Sequence, residues 1–261
     1  MIKIRSYEEE MNYYLNNFVS IKDVCKKFHI DNKSFSKYLK LNNIEIRETR
    51  RKYIVNEEYF DIIDTEDKAY WLGFLMGDGC IKSNNNQIQL ALSNKDEDHV
   101  IKFKNCLNSN YPIIYEETKF NSKSSIFRIY SKKMYNRLNE LNFTTHKSMN
   151  EKFIHSNFDY AFIRGIFDAD GWITKSKNHL KEFGICSSLN LCNEIKDYLI
   201  SKGINKDKIS ISKNNTKKDN QLYRIRIFNS KDLKTVYDLL YQNKNCINLE
   251  RKKIKFEDIL K

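Results

Sequence analysis

Two acidic residues, Asp78 and Asp170, stand near the ends of two ten-residue stretches that resemble each other, YWLGFLMGDG at 70–79 and FIRGIFDADG at 162–171. Aligning them sets Gly73 on Gly165, Gly77 on Ala169, Asp78 on Asp170 and Gly79 on Gly171, a spacing of 92 residues (170 − 78). Two carboxylates brought side by side repel unless positive charge sits between them. Mg²⁺ suits such a place, because it binds one or two carboxylates together with the phosphates of a substrate. Paired metals that clamp the attacking and leaving oxygens are an established route to phosphodiester hydrolysis. A lone Asp-Gly marks no more than a turn or a helix end. Two of them at equivalent points of a repeated, glycine-spaced segment point to a shared metal site.

The elements that would place these acids are legible in the glycines. Five of the chain's seven (Gly73, Gly77, Gly79, Gly165 and Gly171) fall inside the two windows. Glycine inside a helix costs about 1 kcal/mol relative to alanine, so such clustering needs a reason. Residues four apart share a helix face, as Gly73 does with Gly77 and Gly165 with Ala169. Two parallel helices could therefore meet backbone to backbone, with Asp78 and Asp170 side by side at one end. Trp71, Phe74, Leu75, Phe162, Ile166 and Phe167 would pack into flanking cores, and Gly79 and Gly171 would serve as C-terminal glycines.

The segments after the two windows repeat as well. After the first come Cys80–Lys82 with Gln87–Ser93, a helix near Lys95–Leu107, strands Ile113–Lys119 and Ser124–Tyr130, and a helix near Lys132–Leu141. After the second come Trp172–Lys175 with Glu182–Ser187, a helix near Asn190–Ser201, strands Lys208–Lys213 and Leu222–Phe228, and a helix Lys231–Gln242. The expected fold class is α+β: two pseudo-symmetric αββαββα units, 59–150 and 151–261. Alternation along the strands predicts one apolar and one polar face. Gln87, Gln89, Ser93, Arg128, Tyr130, Arg224 and Arg226 fall on the polar side. With Lys82, Lys175 and Lys177 near the hairpins they make candidate DNA contacts, since Arg can read guanine and Gln adenine in a major groove. An ordinary solvated sheet face is the alternative.

Residues 1–45 read as a small all-α module. Ser20 precedes a helix carrying Ile21, Val24, Cys25 and Phe28, and a turn at 29–31 leads to a helix with Phe35, Tyr38 and Leu39 inward and Lys33, Ser36, Lys37 and Lys40 outward. This is the arrangement of a helix-turn-helix without its usual turn glycine, and a plain helical hairpin is the alternative. Residues 46–58 form a linker in which Arg47, Arg50, Arg51 and Lys52 could track a phosphate backbone or simply be solvated. The net charge of +12 is confined to residues 70–261, with 33 Lys and Arg against 21 Asp and Glu, while residues 1–69 balance at 13 against 13. That bias implies a polyanionic partner, or a Lys-rich surface from a Lys/Asn/Ile-biased genome. The six cysteines include no Cys-x-x-Cys, which speaks against zinc and a disulfide framework and for reduced core thiols. No stretch approaches the roughly 20 apolar residues of a membrane span, and MIKIRSYEEEMNYY has no apolar run to act as a signal peptide, so a soluble, intracellular protein is expected.

On WLGFLMGDG and IRGIFDADG, supported by FDIIDTEDKAYWLGF upstream, the chain resembles the LAGLIDADG homing endonucleases in their single-chain, two-motif form, over about residues 59–261. Met76 stands where the family name has its first acid, whereas the second copy has Asp168 there. That position varies in the family, and the following acid is the metal ligand. The resemblance implies two sheets forming a saddle over a DNA duplex, motif helices above the minor groove, and hydrolysis of both strands leaving short 3′ overhangs. It implies Mg²⁺, with Mn²⁺ as a substitute, held by Asp78 and Asp170 with the carbonyls of Gly77 and Ala169 facing the metals. It further implies a basic residue beside each metal, for which Lys147 and either Arg251 or Lys252 fit by position. Double-stranded DNA with a long, rare target is the implied partner, and a monomer suffices because one chain supplies both halves. As a hypothesis apart from the resemblance, the helix-turn-helix module and basic linker would extend the footprint to one side. Two other readings share this resemblance: a non-catalytic helix-turn-helix DNA-binding regulator on a relic of the fold, and a maturase binding intron RNA.

Overall fold

Ser20 begins a helix because its hydroxyl accepts from the Asp23 amide (3.1 Å) while the Asp23 carboxylate accepts from the Ser20 amide (3.2 Å), a reciprocal cap. That helix, α2 (Ile21–Phe28), lies between α1 (Glu8–Asn16) and α3 (Asn32–Leu41). The computed structural model describes residues 6–17, 19–46, 53–117, 123–143, 151–176, 180–214 and 222–261. The chain divides into two compact units, Met1–Ile54 and Val55–Lys261. In the first, Tyr14, Ile21, Val24, Phe35 and Leu39 form the core. The turn glycine missing from the sequence is replaced by His29, which takes the left-handed conformation itself (φ 54°), and Asp31 then caps α3 through the Ser34 amide (2.8 Å). Lys33, Lys37 and Lys40 are exposed on α3, opposite Phe35 and Leu39.

The second unit opens with α4 (Glu66–Asp78), capped by Thr65 and carrying Glu66 and Asp67 in its first turn, where acids suit the positive end of the helix. Next come β1 (Gly79–Lys82), β2 (Gln87–Ser93), α5 (Glu97–Cys106), β3 (Ile113–Glu117), β4 (Lys123–Tyr130) and α6 (Lys132–Glu140). The second copy runs α7 (Asp159–Asp170), β5 (Gly171–Lys175), β6 (Lys181–Ser187), α8 (Leu189–Ser201), β7 (Ile209–Lys213), β8 (Tyr223–Ile227) and α9 (Ser230–Leu240). The class is α+β, and the expected αββαββα order appears twice. Both sheets are antiparallel, ordered β1-β2-β4-β3 and β5-β6-β8-β7. One further helix, α10 (Glu250–Leu260), is an addition to the expectation. Its sequence, ERKKIKFEDIL, carries few apolar residues, of which Phe256 and Ile259 are buried.

The large residues of the motif helices pack as their spacing predicts. Trp71 and Phe74 are fully buried and meet His99 of α5, and Trp71 also meets Phe103. Phe167 stacks on Phe183 of β6 at 4.9 Å and contacts Phe256 of α10 at 5.8 Å. Among the described residues no helix is long and apolar enough to cross a membrane. Among the described residues no disulfide forms, and Cys25, Cys192 and Cys246 are buried; Cys80 departs from the core-thiol expectation, being exposed on β1.

Candidate functional site

The two motif helices touch along their glycines. A Cβ at Gly73 would stand 2.0 Å from the Phe162 carbonyl oxygen, and one at Gly165 would stand 2.1 Å from that of Tyr70. A turn further on, a Cβ at Gly77 would lie 2.4 Å from the Ala169 Cβ and 2.7 Å from Asp170 Oδ2. Gly73 against Gly165 and Gly77 against Ala169 advance together, so the helices run parallel, and the last residues of both, Asp78 and Asp170, arrive at the same end. Both acids are exposed, in contrast to the buried helix faces behind them. Gly79 and Gly171 end the helices in extended backbone (φ −73° and −89°), not in the left-handed conformation of a usual C-terminal glycine. Space requires them: a Cβ at Gly79 would be 2.5 Å from the Leu75 carbonyl, and one at Gly171 2.4 Å from the Phe167 ring.

Beside the acids, Lys252 of α10 donates three hydrogen bonds to the C-terminal end of α7: to the carbonyls of Phe167 (2.8 Å), Ala169 (3.1 Å) and Gly171 (2.7 Å). A cation there satisfies orphan carbonyls and complements the negative end of the helix. Burial pushes the Lys252 ammonium down to about 8, opposed by the negative charges of Asp168, Asp78 and Asp170 and assisted by Arg251. Of the two basic candidates on this helix, Arg251 points elsewhere, pairing with the buried Asp96 at 2.8 Å. The Ala169 carbonyl, expected to face a metal, accepts from Lys252. Lys147 lies outside the described residues.

Behind this end of the site runs a buried polar chain that joins the two copies. Asp168 is fully buried, and its Oδ2 accepts from the Tyr70 hydroxyl (2.8 Å) and from the Leu249 amide (2.8 Å). Because the only proton of the Tyr70 hydroxyl goes to Asp168, His99 Nε2, 2.9 Å from Tyr70 Oη, must be the donor in its pair. Burial depresses His99 to about 3 and raises Asp168 to about 6. Arg164, also fully buried, bonds the Leu240 and Ile247 carbonyls and the Glu66 carboxylate (2.6, 2.9 and 2.7 Å), tying α7 to the start of α4. The signal for both residues was in the sequence, as charged residues within an otherwise apolar helix, but their partners are distant in the chain.

On the first sheet, Lys82, Gln87, Gln89, Ser93, Arg128 and Tyr130 all fall on the face opposite Ile81, Ile88, Leu90, Leu92, Phe127 and Ile129. Gln87 is nevertheless buried, and with Arg128 it bonds the Gln89 side-chain oxygen (3.2 and 2.8 Å). On the second sheet, Arg224 and Arg226 share the outer face with Ser210 and Ser212, and Arg226 donates to Ser212 at 3.1 Å. Lys175 is the last residue of β5 and is exposed. Its register places it on the side of Ile173 and Phe183, opposite its partner Lys181, and it is Trp172 and Thr174 that share the face of Arg226. The parity is that of the first sheet, where β1 likewise starts directly after the motif helix, so Thr174 and not Lys175 is the counterpart of Lys82. Trp172, missed from the sequence, lies over Gly184, where a Cβ would come within 2.2 Å of its ring, and donates to Glu182 at 2.9 Å. The absence of a side chain at residue 184, together with Ser210 and Ser212 alternating with isoleucines, is the signal that could have marked this face. Arg50, Arg51 and Lys177 lie outside the described residues, as do Arg47 and Lys52.

Fold and site together define a chain with two αββαββα copies that share a glycine-lined helix interface ending in an acid from each. Residues 157–241, within the second copy, match the model of the LAGLIDADG-like domain, and the first copy repeats the strand order of the second. An uncharacterized protein of Methanocaldococcus jannaschii, MJ0314, is 29% identical over 147 residues, covering 53% of this chain and 54% of its own. The chain thus spans about half the length of the curated relative it matches. Solved structures of similar outline include full-length DUF199/WhiA from Thermatoga maritima (TM-score 0.49, 17% identity, 78% of this chain and 64% of that one). They also include the meganuclease I-SmaMI bound to uncleaveable DNA (TM-score 0.46, 12% identity, 73% and 86%) and the LAGLIDADG meganuclease I-AabMI bound to uncleaved DNA (0.46, 12%, 73% and 87%).

Proposed function

We propose that this protein is a site-specific endonuclease that hydrolyses both strands of a DNA duplex, with Asp78 and Asp170 as its essential acids. The observation that carries this reading is the contact at Gly77, where the missing side chain makes room for the Asp170 carboxylate at the shared end of two parallel helices. Two solvent-facing carboxylates form an all-oxygen donor set that suits Mg²⁺ or Mn²⁺, whose chemistry there is to lower the pKa of water and neutralise phosphate charge. Lys252 adds a fixed positive charge at the same end, which stabilises charge developing on a scissile phosphate. The outer sheet faces, with Gln89 and Arg128 in one copy and Arg224 and Arg226 in the other, offer base-edge donors and acceptors. The exposed lysines of α3 supply further phosphate or groove contacts from the N-terminal unit.

A second reading, a DNA-binding protein of the same fold that does not cut, is favoured by one contact: the Ala169 carbonyl is engaged by Lys252. In vitro selection of bound duplexes from a randomised pool, then incubation with Mg²⁺ or Mn²⁺, separates the two. The nuclease reading expects metal-dependent cleavage of the selected DNA that Asp78→Asn and Asp170→Asn each abolish while binding persists. Tight, sequence-selective binding without cleavage in either metal leaves the second reading standing.

A further inference from the structure

We infer that Asp168 is a positioning residue for Lys252: by accepting from the Leu249 amide it pins the start of α10 to the second motif helix and seats the lysine beside Asp170. This rests on the nuclease reading for its consequence in catalysis, though not for the placement itself.

Three observations converge. Leu249 occupies the cap position of α10 and has no side chain able to cap it; an acceptor is brought to this end of the helix by Asp168 from another element, 2.8 Å from the Leu249 amide. A carboxylate at a helix N-terminus also complements the positive end of its dipole. Lys252 sits in the first turn of the helix so anchored, with its amide bonded to the Leu249 carbonyl at 2.8 Å, so a shift of Leu249 moves Lys252 with it. The same Asp168 oxygen is held from the opposite motif helix by Tyr70, itself held by His99 at 2.9 Å, so the first copy fixes the acid that fixes the second copy's lysine. The arrangement is one-sided. At the equivalent place the first copy has Met76, buried and without an acceptor of this kind. Loss of the anchor should therefore impair one of two strand cleavages more than the other.

The test uses the full chain and has two readouts. In the first, lysine acylation by a small anhydride is monitored by mass spectrometry, without DNA or metal. Lys252 in the wild type should be protected relative to exposed lysines such as Lys33, Asp168→Asn should keep protection because its amide oxygen still accepts from Leu249, and Asp168→Leu should lose it. Should Asp168→Leu fail to fold by thermal melting, Asp168→Ser carries the same expectation, being too short to reach Leu249. Unchanged protection in a folded Leu or Ser variant overturns the inference, whatever the protein does to DNA. The second readout is single-turnover cleavage of a selected duplex with each strand labelled. Asp168→Leu should slow one strand about 10–100-fold, the magnitude of an ångström-scale misplacement. Lys252→Met should slow the same strand, and the double variant should be no slower than Lys252→Met alone. Additive losses, or equal slowing of both strands, would show that Asp168 does not act through Lys252. A wild type that cuts nothing instead refutes the nuclease reading and leaves the acylation result to judge the placement.

Discussion

Gly73→Ala adds one methyl group where the backbones of the two motif helices meet. The new Cβ would stand 2.0 Å from the Phe162 carbonyl oxygen and 3.1 Å from the Ile166 amide nitrogen, both backbone atoms of α7. Real Cβ contacts stay above 3.0 Å, so the motif helices must separate by at least 1.0 Å. Alanine gains about 1 kcal/mol in helix propensity over glycine. Overpacking against movable side chains costs about 1–3 kcal/mol, and a helical carbonyl can yield less than a side chain. With overpacking at the upper end of that range, the net expectation is a loss of about 2 kcal/mol, or roughly 4–8 °C in Tm for a unit of this size. Separation at Gly73 also moves Asp78 away from Asp170, and a misplacement of about 1 Å at reacting groups can cost about 100-fold in rate. Circular-dichroism melting and single-turnover cleavage read the two effects. Gly165→Ala, 2.1 Å from the Tyr70 carbonyl, should behave alike. Gly203→Ala is the control, because nothing lies within 4 Å there and only the positive φ of 91° is strained, at about 1–2 kcal/mol. A Gly73→Ala protein that melts and cuts like the wild type would refute the claim that helix apposition positions the acids.

Two further outcomes are expected. Because burial holds His99 near 3 while the unfolded chain protonates near its ordinary value, the unfolded state takes up a proton that the fold refuses as pH falls below about 6.5. The His99 contribution is complete above that pH and declines toward 3, by about 2–3 kcal/mol at pH 4.5; Asp168, raised to about 6, works in the opposite direction between 6 and its ordinary range. His99→Gln, which can still donate to Tyr70, should flatten the acid side of the stability curve measured by urea unfolding from pH 7 to 4.5, and an unaltered curve would count against the buried neutral imidazole. Removing residues 1–54, which form their own compact unit, should weaken binding to a selected duplex and reduce the slope of log affinity against log salt; unchanged affinity and slope would mean that α3 does not touch DNA.

The repeated αββαββα order, the glycine-lined face and the pair of acids were legible in the chain because each is a local or periodic signal. Helix capping, strand alternation and glycine spacing are fixed by neighbours within a few residues, and internal repetition doubled their weight. Less local features were not legible. Lys175 is exposed, but only the register showed that it and Ile173 lie on the face opposite Trp172, Thr174 and Arg226. His29 could replace a turn glycine because one strained residue is tolerated when the caps on both sides are strong. The choice of Lys252 over Arg251 could not be made from two adjacent basic residues. It depended on which of them faced the end of α7 once Asp168 and Leu249 had docked α10. By itself the sequence determined the helices and strands of the two repeated units, though not the polar α10, and that two acids occupy equivalent places, since those depend on short-range sterics and hydrophobic period. Tertiary structure alone decided what surrounds the acids, because buried carboxyl, hydroxyl, imidazole and ammonium groups take their partners from whatever the packing brings within about 3 Å, however far away in the chain.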